Sequence, residues 1–262
     1  MNMNVSVIGI GAMGGGIARA LLKSSDINSV IGYDVSEELT RAFYEEAQTV
    51  SKECSIGEGD NGIPICVEDV ILPNNKTNVL ILVLVNEAQC QQVCSSILST
   101  NNDDKSLGSM TIVLCSTVRA TWVRETSSQF EERGIAFVDC PISGGPIRAL
   151  AGKLSIMASC NDEHVLTSLR PLWKAMAGED ENIHMIPGGS GMGSTAKMVH
   201  QLLAGVHVVC SAEALTLAAK AGLDPEQMYK IVNGAAGHSW MFQDRGARMI
   251  QSPGEEVKSA LN

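Results

Sequence analysis

The chain has 262 residues, 45% of them hydrophobic and 18% charged. That is enough apolar surface for a substantial core, which excludes a disordered chain, and the length suits two compact units better than one. Nineteen basic against 29 acidic residues leave a net charge of -10, which argues against a phosphate backbone and so against nucleic acid as a partner.

Eight cysteines occur without a CxxC pair or a His spacing of zinc type; they read as small reduced hydrophobes, and no metal site is expected. The opening MNMNVSVIGIGAMGGG has no basic segment, and glycines break its apolar run. It therefore reads as neither signal peptide nor membrane span, and the expected location is cytoplasmic, with no membrane partner.

The apolar run Val5 to Ile10 ends among glycines, and helical spacing resumes from Met13 to Leu22, so strand, turn and helix are predicted in that order. Val30 to Tyr33 predicts a second strand ending at Asp34, and Ser36 followed by Glu37 and Glu38 caps a helix running to Val50. Residues 51–78 are rich in Gly, Asn and Asp, with one strand expected near Ile63 to Val67. Val79 to Val85 and Met110 to Cys115 are continuous apolar runs of the kind buried on both faces of a parallel sheet. Each is followed by a predicted helix, about Glu87 to Leu98 and Thr121 to Arg133.

Further strands are expected at Ile135 to Val138 and Leu154 to Ala158, with ISGGPIRALAGK as a loop between them. A helix from Asp162 to Met176 follows, kinked or divided at Pro171. After Pro187-Gly188-Gly189 the pattern turns helical: one long segment from Thr195 to Ala221 closed by Gly222, a second opened by Asp224 and Pro225, and a third from Ser239 to Ile250. No repeat or transmembrane run is expected. The fold class is thus α/β, a Rossmann-type doubly wound sheet over residues 1–187, followed by a smaller all-helical domain over 188–262.

Gly9-x-Gly11-x-x-Gly14 stands directly between strand and helix, the context in which such a pattern binds a dinucleotide. Gly9 permits a tight turn, Gly11 lets the backbone approach a pyrophosphate, and Gly14 allows close packing of helix on strand. Asp34, at the end of the second strand, can accept from both ribose hydroxyls and repel a 2'-phosphate, and no arginine follows it; NAD is therefore favoured over NADP. In Asp139-Cys140-Pro141-Ile142-Ser143-Gly144-Gly145 the paired glycines free backbone N–H groups for an anion, and the Ser143 hydroxyl adds a donor, which would suit a carboxylate. Lys197 starts the long helix, with Gln201 one turn on. A lysine there is either a solvated residue or an ammonium aimed into a cleft, where desolvation would fit it for proton transfer. His200, His207 and His238 are alternative acid–base candidates, but their spacing offers no carboxylate to orient them, so each reads as structural.

The strings GIGAMGGGIARAL, DCPISGGPIRALAGKLSIM and GSTAKMVHQLLAGVH together resemble the β-hydroxyacid dehydrogenases, the 3-hydroxyisobutyrate dehydrogenase-related family, and most of all its L-threonate dehydrogenase branch. The resemblance implies NAD as cofactor, a small carboxylate substrate, Lys197 as the catalytic proton donor or acceptor, and Ser143, Gly144 and Gly145 as the carboxylate loop. It implies Gln201, where most of the family has Asn, as a substrate hydroxyl contact. Gly9, Gly11, Ala12, Met13, Gly14 and Asp34 would hold the cofactor, with Val85, Asn86 and Thr117 on its nicotinamide side.

The sequence departs from the family over 51–78, and it stops at VKSALN where the family continues with further helices that complete the pocket and the subunit packing. The expectations are therefore an oxidoreductase acting on a C3 to C4 hydroxy acid, homo-oligomeric if those helices are present. The alternatives are an impaired dinucleotide-binding module of a truncated or fused protein, or a tartronate-semialdehyde-type reductase.

Overall fold

The structure is a computed structural model and describes residues 3–47, 70, 77–99 and 110–251. The strand expected near Ile63 to Val67 lies outside the described residues. The chain divides into two compact units, Met1–Lys197 and Met198–Asn262.

The first unit opens with β1 (Met3–Ile8), α1 (Ala12–Lys23), β2 (Ile27–Tyr33) and α2 (Glu37–Ala47). It continues with β3 (Val79–Leu82), α3 (Glu87–Ser99), β4 (Thr111–Leu114), α4 (Ala120–Glu131) and β5 (Ala136–Asp139). These five strands form a sheet in the order β2-β1-β3-β4-β5, with every neighbouring pair parallel.

Alternate residues explain why the runs are apolar without interruption. Val79, Ile81 and Val113 enter a core on one face with Ile17, Leu21 and Trp173. Leu80, Leu82, Ile112 and Leu114 enter a second core on the other face with Phe130 and Phe137. Both faces are covered, as parallel sheets require. The chain runs from β1 outward to β2 and then resumes at β3 on the opposite side of β1. Ligands of such sheets bind at this reversal, beyond the carboxyl ends of the strands.

Past β5 the chain builds a second, three-stranded sheet from β6 (Ile142–Ser143), β7 (Ser155–Ala158) and β8 (Ile183–Met185). The segment expected as a loop contains β6 and a six-residue helix, α5 (Gly145–Leu150), started by Pro146 in its first turn. The helix expected from Asp162 to Met176 is two, α6 (Glu163–Ser168) and α7 (Arg170–Ala177), divided at Leu169 just before Pro171. Asp162 caps α6 by accepting from the His164 N–H at 2.9 Å.

The 29-residue α8 (Met192–Lys220) begins in the first unit. The compact units divide after Lys197 because the first turn of α8 packs against β5 and β7. Gly193 sits so tightly there that a Cβ would lie 2.3 Å from the Met157 carbonyl oxygen. No membrane-spanning run was expected from the sequence, whereas α8 is long and apolar enough by length and composition to make one.

In the second unit α8 ends at Lys220 and is closed by the turn at Gly222, φ +79°. There follow α9 (Pro225–Asn233), capped by Asp224 through the Glu226 and Gln227 N–H groups, and α10 (Trp240–Gln251). Tyr229 of α9 stacks on Phe242 of α10, ring centroids 5.6 Å apart.

Candidate active site

The turn after β1 is built by backbone. Gly9 N–H donates to the Tyr33 carbonyl at 2.8 Å, and Val83 N–H donates to the Ile8 carbonyl at 2.9 Å. Gly9 has φ +89°, and a Cβ on it would stand 2.3 Å from the Val83 carbonyl oxygen. A Cβ on Gly14 would stand 1.9 Å from the Gly9 oxygen, so the first turn of α1 can close on the strand only with glycine there. Gly11 is different: a Cβ on it would meet nothing within 4 Å. The helix begins at this open side with no side-chain cap and no acidic residue in its first turn. Its leading N–H groups, where Ala12 and Met13 stand, form a cradle for an anion. A dinucleotide pyrophosphate fits those residues.

Asp34 follows β2 and is half-buried. Its N–H donates to the Thr40 hydroxyl at 3.0 Å, and Oδ1 accepts from the Ser36 N–H at 3.0 Å. The turn thereby fixes the carboxylate.

The loops after β3 and β4 are tied together. The buried Ser116 hydroxyl accepts from the Leu84 N–H at 2.7 Å. Arg119 gives its backbone N–H to Glu87 Oε2 at 3.1 Å and its Nε to Oε1 at 3.0 Å. The Arg119 side chain beside Glu87 holds that carboxyl below the usual carboxylate range. Val85 and Asn86 are exposed in this turn: the Val85 N–H donates to Gln89 Oε1, and Asn86 Oδ1 accepts from the Gln89 N–H, each at 3.0 Å. Thr117 is exposed on the adjoining loop. Ser116, Glu87 and Arg119 were not among the sequence candidates; only contacts made in the fold reveal them.

In the Ser143 loop, Ser143 pairs with Ser155 across the second sheet. Gly144 at φ +137° and Gly145 at φ +73° then turn the chain into α5, and a Cβ on Gly145 would meet nothing within 4 Å. Lys197 is 6% exposed, and its Nζ donates to the Ile142 carbonyl at 2.8 Å. Burial lowers its ammonium to a pKa of about 8. The structure thus brings Lys197 to the residue preceding the Ser143-Gly144-Gly145 loop. Gln201 is half-buried and lies in the second unit. His200 is exposed, and His238 Nε2 is 3.5 Å from Gln243 Oε1.

A group of residues that the sequence did not single out surrounds the start of α8. Asp139, fully buried, accepts from the Ser194 N–H and hydroxyl, both at 2.7 Å, and from the Ser159 hydroxyl at 3.3 Å. Burial holds its carboxyl above the usual carboxylate range, and these donors offset only part of that rise.

Residues 4–188 match the family model described as the NAD binding domain of 6-phosphogluconate dehydrogenase. Residues 191–261 match the one described as NAD-binding of NADP-dependent 3-hydroxyisobutyrate dehydrogenase. The L-threonate dehydrogenase of Escherichia coli K12 is 31% identical over 247 residues, 94% of this chain and 74% of that protein. The chain belongs to the β-hydroxyacid dehydrogenase family. It is an NAD-dependent hydroxyacid oxidoreductase. Among other β-hydroxyacid dehydrogenases, the 2-hydroxy-3-oxopropionate reductase of E. coli K12 is 29% identical over 197 residues, covering 74% of this chain and 65% of the relative. A crystal structure of 3-hydroxyisobutyrate dehydrogenase from Salmonella typhimurium superposes with a TM-score of 0.75 at 29% identity, covering 95% of this chain and 79% of that one.

Proposed function

We propose that this β-hydroxyacid dehydrogenase oxidises a C3 to C4 hydroxy acid of the L-threonate type, with Lys197 as the acid–base group. The observation that carries the reading is the desolvated Lys197 amine beside the Ser143 loop, 2.8 Å from the Ile142 carbonyl. Burying a lysine is costly when it does nothing, and this one is tuned into the range where an amine can take a proton.

In this reading Ser143 and the backbone of Gly144 and Gly145 hold the substrate carboxylate. Gly9, Gly11, Ala12, Met13 and Gly14 hold the cofactor pyrophosphate, Asp34 the adenine-side ribose, and Val85, Asn86 and Thr117 the nicotinamide side. Gln201 is assigned to a substrate hydroxyl on the family resemblance alone. Bound NAD supplies the acceptor for the hydride that leaves the carbinol carbon. The neutral Lys197 amine takes the proton from the carbinol oxygen as that carbon becomes a carbonyl. In the reverse direction its ammonium returns that proton, which is the reading favoured if the similarity to 2-hydroxy-3-oxopropionate reductase reflects the substrate. The reading includes a homo-oligomer, supported by the exposed Leu202, Leu203, Val206 and Val209 along α8.

The test is reduced-nicotinamide absorbance with the purified chain and a panel of L-threonate, 3-hydroxyisobutyrate and, with NADH, tartronate semialdehyde. Preferred turnover of L-threonate supports the assignment. Preference for the semialdehyde moves it to the reductase. NADH binding with no turnover of any compound replaces both with a non-catalytic dinucleotide-binding module.

A further inference from the structure

We propose that the buried carboxylate of Asp139 is a positioning residue that aims Lys197 at the substrate loop, by holding the first turn of α8 on the end of β5. This inference rests on the role given to Lys197 above. Two rungs join the same two segments. Asp139 grips Ser194 through both carboxylate oxygens, each at 2.7 Å, and Lys197 Nζ donates to Ile142 at 2.8 Å. Ile142 lies three residues beyond Asp139 in the chain, and Lys197 three beyond Ser194, so each rung spans 55 residues of sequence. The amine and its acceptor are therefore both referenced to one carboxylate, through three residues of chain on either side.

The rest of the junction leaves the helix little freedom. The Ser159 hydroxyl accepts from the Gly193 N–H at 2.9 Å, and Ser159 is itself locked to Asp139 by paired backbone bonds of 2.9 and 2.8 Å. The Ser190 N–H donates to Asn161 Oδ1 at 2.9 Å, and the Asn161 amide donates to Glu131 at 2.9 Å. Gly193 presses on backbone from two sides, since a Cβ would lie 2.3 Å from the Met157 oxygen and 2.9 Å from that of Asp139. An ordinary N-cap is made by an exposed side chain next to its own helix, as at Asp224 before α9. At the start of α8 a fully buried carboxylate is used instead, a costly group unless its geometry matters. It also meets the positive end of the helix dipole. Lysine has four rotatable side-chain bonds, so only a fixed backbone origin places its amine reproducibly, and an error of ~1 Å at a reacting group can cost about 100-fold in rate.

The test uses Ser194→Ala, Ser159→Ala and Asp139→Asn in the full chain, with two readouts. The first is the pH dependence of Lys197 acetylation by an activated ester, read by mass spectrometry without any substrate. The second is turnover of the hydroxy acid with NADH affinity measured alongside. The serine variants should keep NADH affinity and fold. Their Lys197 titration should move by about one unit toward the ordinary lysine value as the amine gains water. kcat should fall about tenfold with the acid KM nearly unchanged. A merely structural role lowers melting temperature but leaves labelling and kcat of the folded protein as in the parent, and that result overturns the proposal. If Asp139→Asn does not fold, the two serine variants decide. If the parent turns over no hydroxy acid, the functional reading fails, and the labelling arm still decides whether the Asp139 junction positions Lys197.

Discussion

Lys197 Nζ donates to the Ile142 carbonyl at 2.8 Å, one residue before Ser143. Lysine replaced by methionine at this position keeps the volume and removes the proton acceptor. Lys197→Met is expected to lower kcat by roughly 10² to 10⁴-fold, the range supplied by a positioned acid–base group, while leaving NADH affinity within about twofold. Steady-state kinetics beside fluorescence titration of NADH checks it. Undiminished turnover removes Lys197 from the mechanism.

The same amine sets a pH signature. Oxidation requires it neutral, so kcat/KM for the acid should rise with pH through about 8 and then level off. Reduction requires the ammonium and should decline above that value. Stability carries a linked sign: Lys197 binds its proton less tightly in the folded chain than in the unfolded one. Between about 8 and the ordinary 10.5 the unfolded chain then holds more protons, and this group adds stability as pH rises across that window. Parent and Lys197→Met melting temperatures, measured over the window, should therefore shift in favour of the parent as pH rises. A kinetic limb that persists in the variant assigns it to another group.

The central sheet was legible because each of its strands sits between two cores, so the sequence shows unbroken runs such as Val79 to Leu82. The 142–150 segment was not. A two-residue strand and a six-residue helix are too short for any period to show, and their geometry is set by Gly144 and Gly145. β8 has only three residues, Ile183–Met185, the last two exposed, which is too short for a period to show. At the candidate site the glycine string showed in its place between strand and helix. Spacing left Lys197 open between a solvated residue and an ammonium in a cleft, and only the family resemblance implied its role. Asp139, Ser159 and Ser194 were not legible, since their bonds close over 20 and 55 residues and a buried polar residue leaves no periodic trace.

Asp34 has one carboxylate oxygen engaged by the Ser36 N–H, and the carboxylate is the feature that would repel a 2'-phosphate. Asp34→Ala should weaken NAD about tenfold, as the charge-assisted bonds to ribose are lost, and should narrow the preference for NAD over NADP. Paired KM values for the two cofactors measure this. An unchanged ratio would mean that discrimination lies elsewhere in the pocket.

Gly16 of α1 is the point at which the cofactor helix meets α5, the helix that starts at Gly145. A Cβ on Gly16 would lie 2.8 Å from the Ala149 Cβ and 2.9 Å from the Leu150 backbone nitrogen. Alanine is the better helix former by about 1 kcal/mol, but overpacking against a neighbouring backbone costs about 1 to 3 kcal/mol, so Gly16→Ala should be destabilising on balance. Of the two helices α5 should yield, because α1 has 12 residues and is keyed to the strand through Gly14 while α5 has six. Its movement displaces the Ser143-Gly144-Gly145 loop and leaves the glycine turn at Gly9 in place. The acid KM should then rise several-fold more than the dissociation constant of NADH. Equal rises in the two, or a rise in the NADH constant alone, would show that α1 moved instead and that the substrate loop does not lean on it.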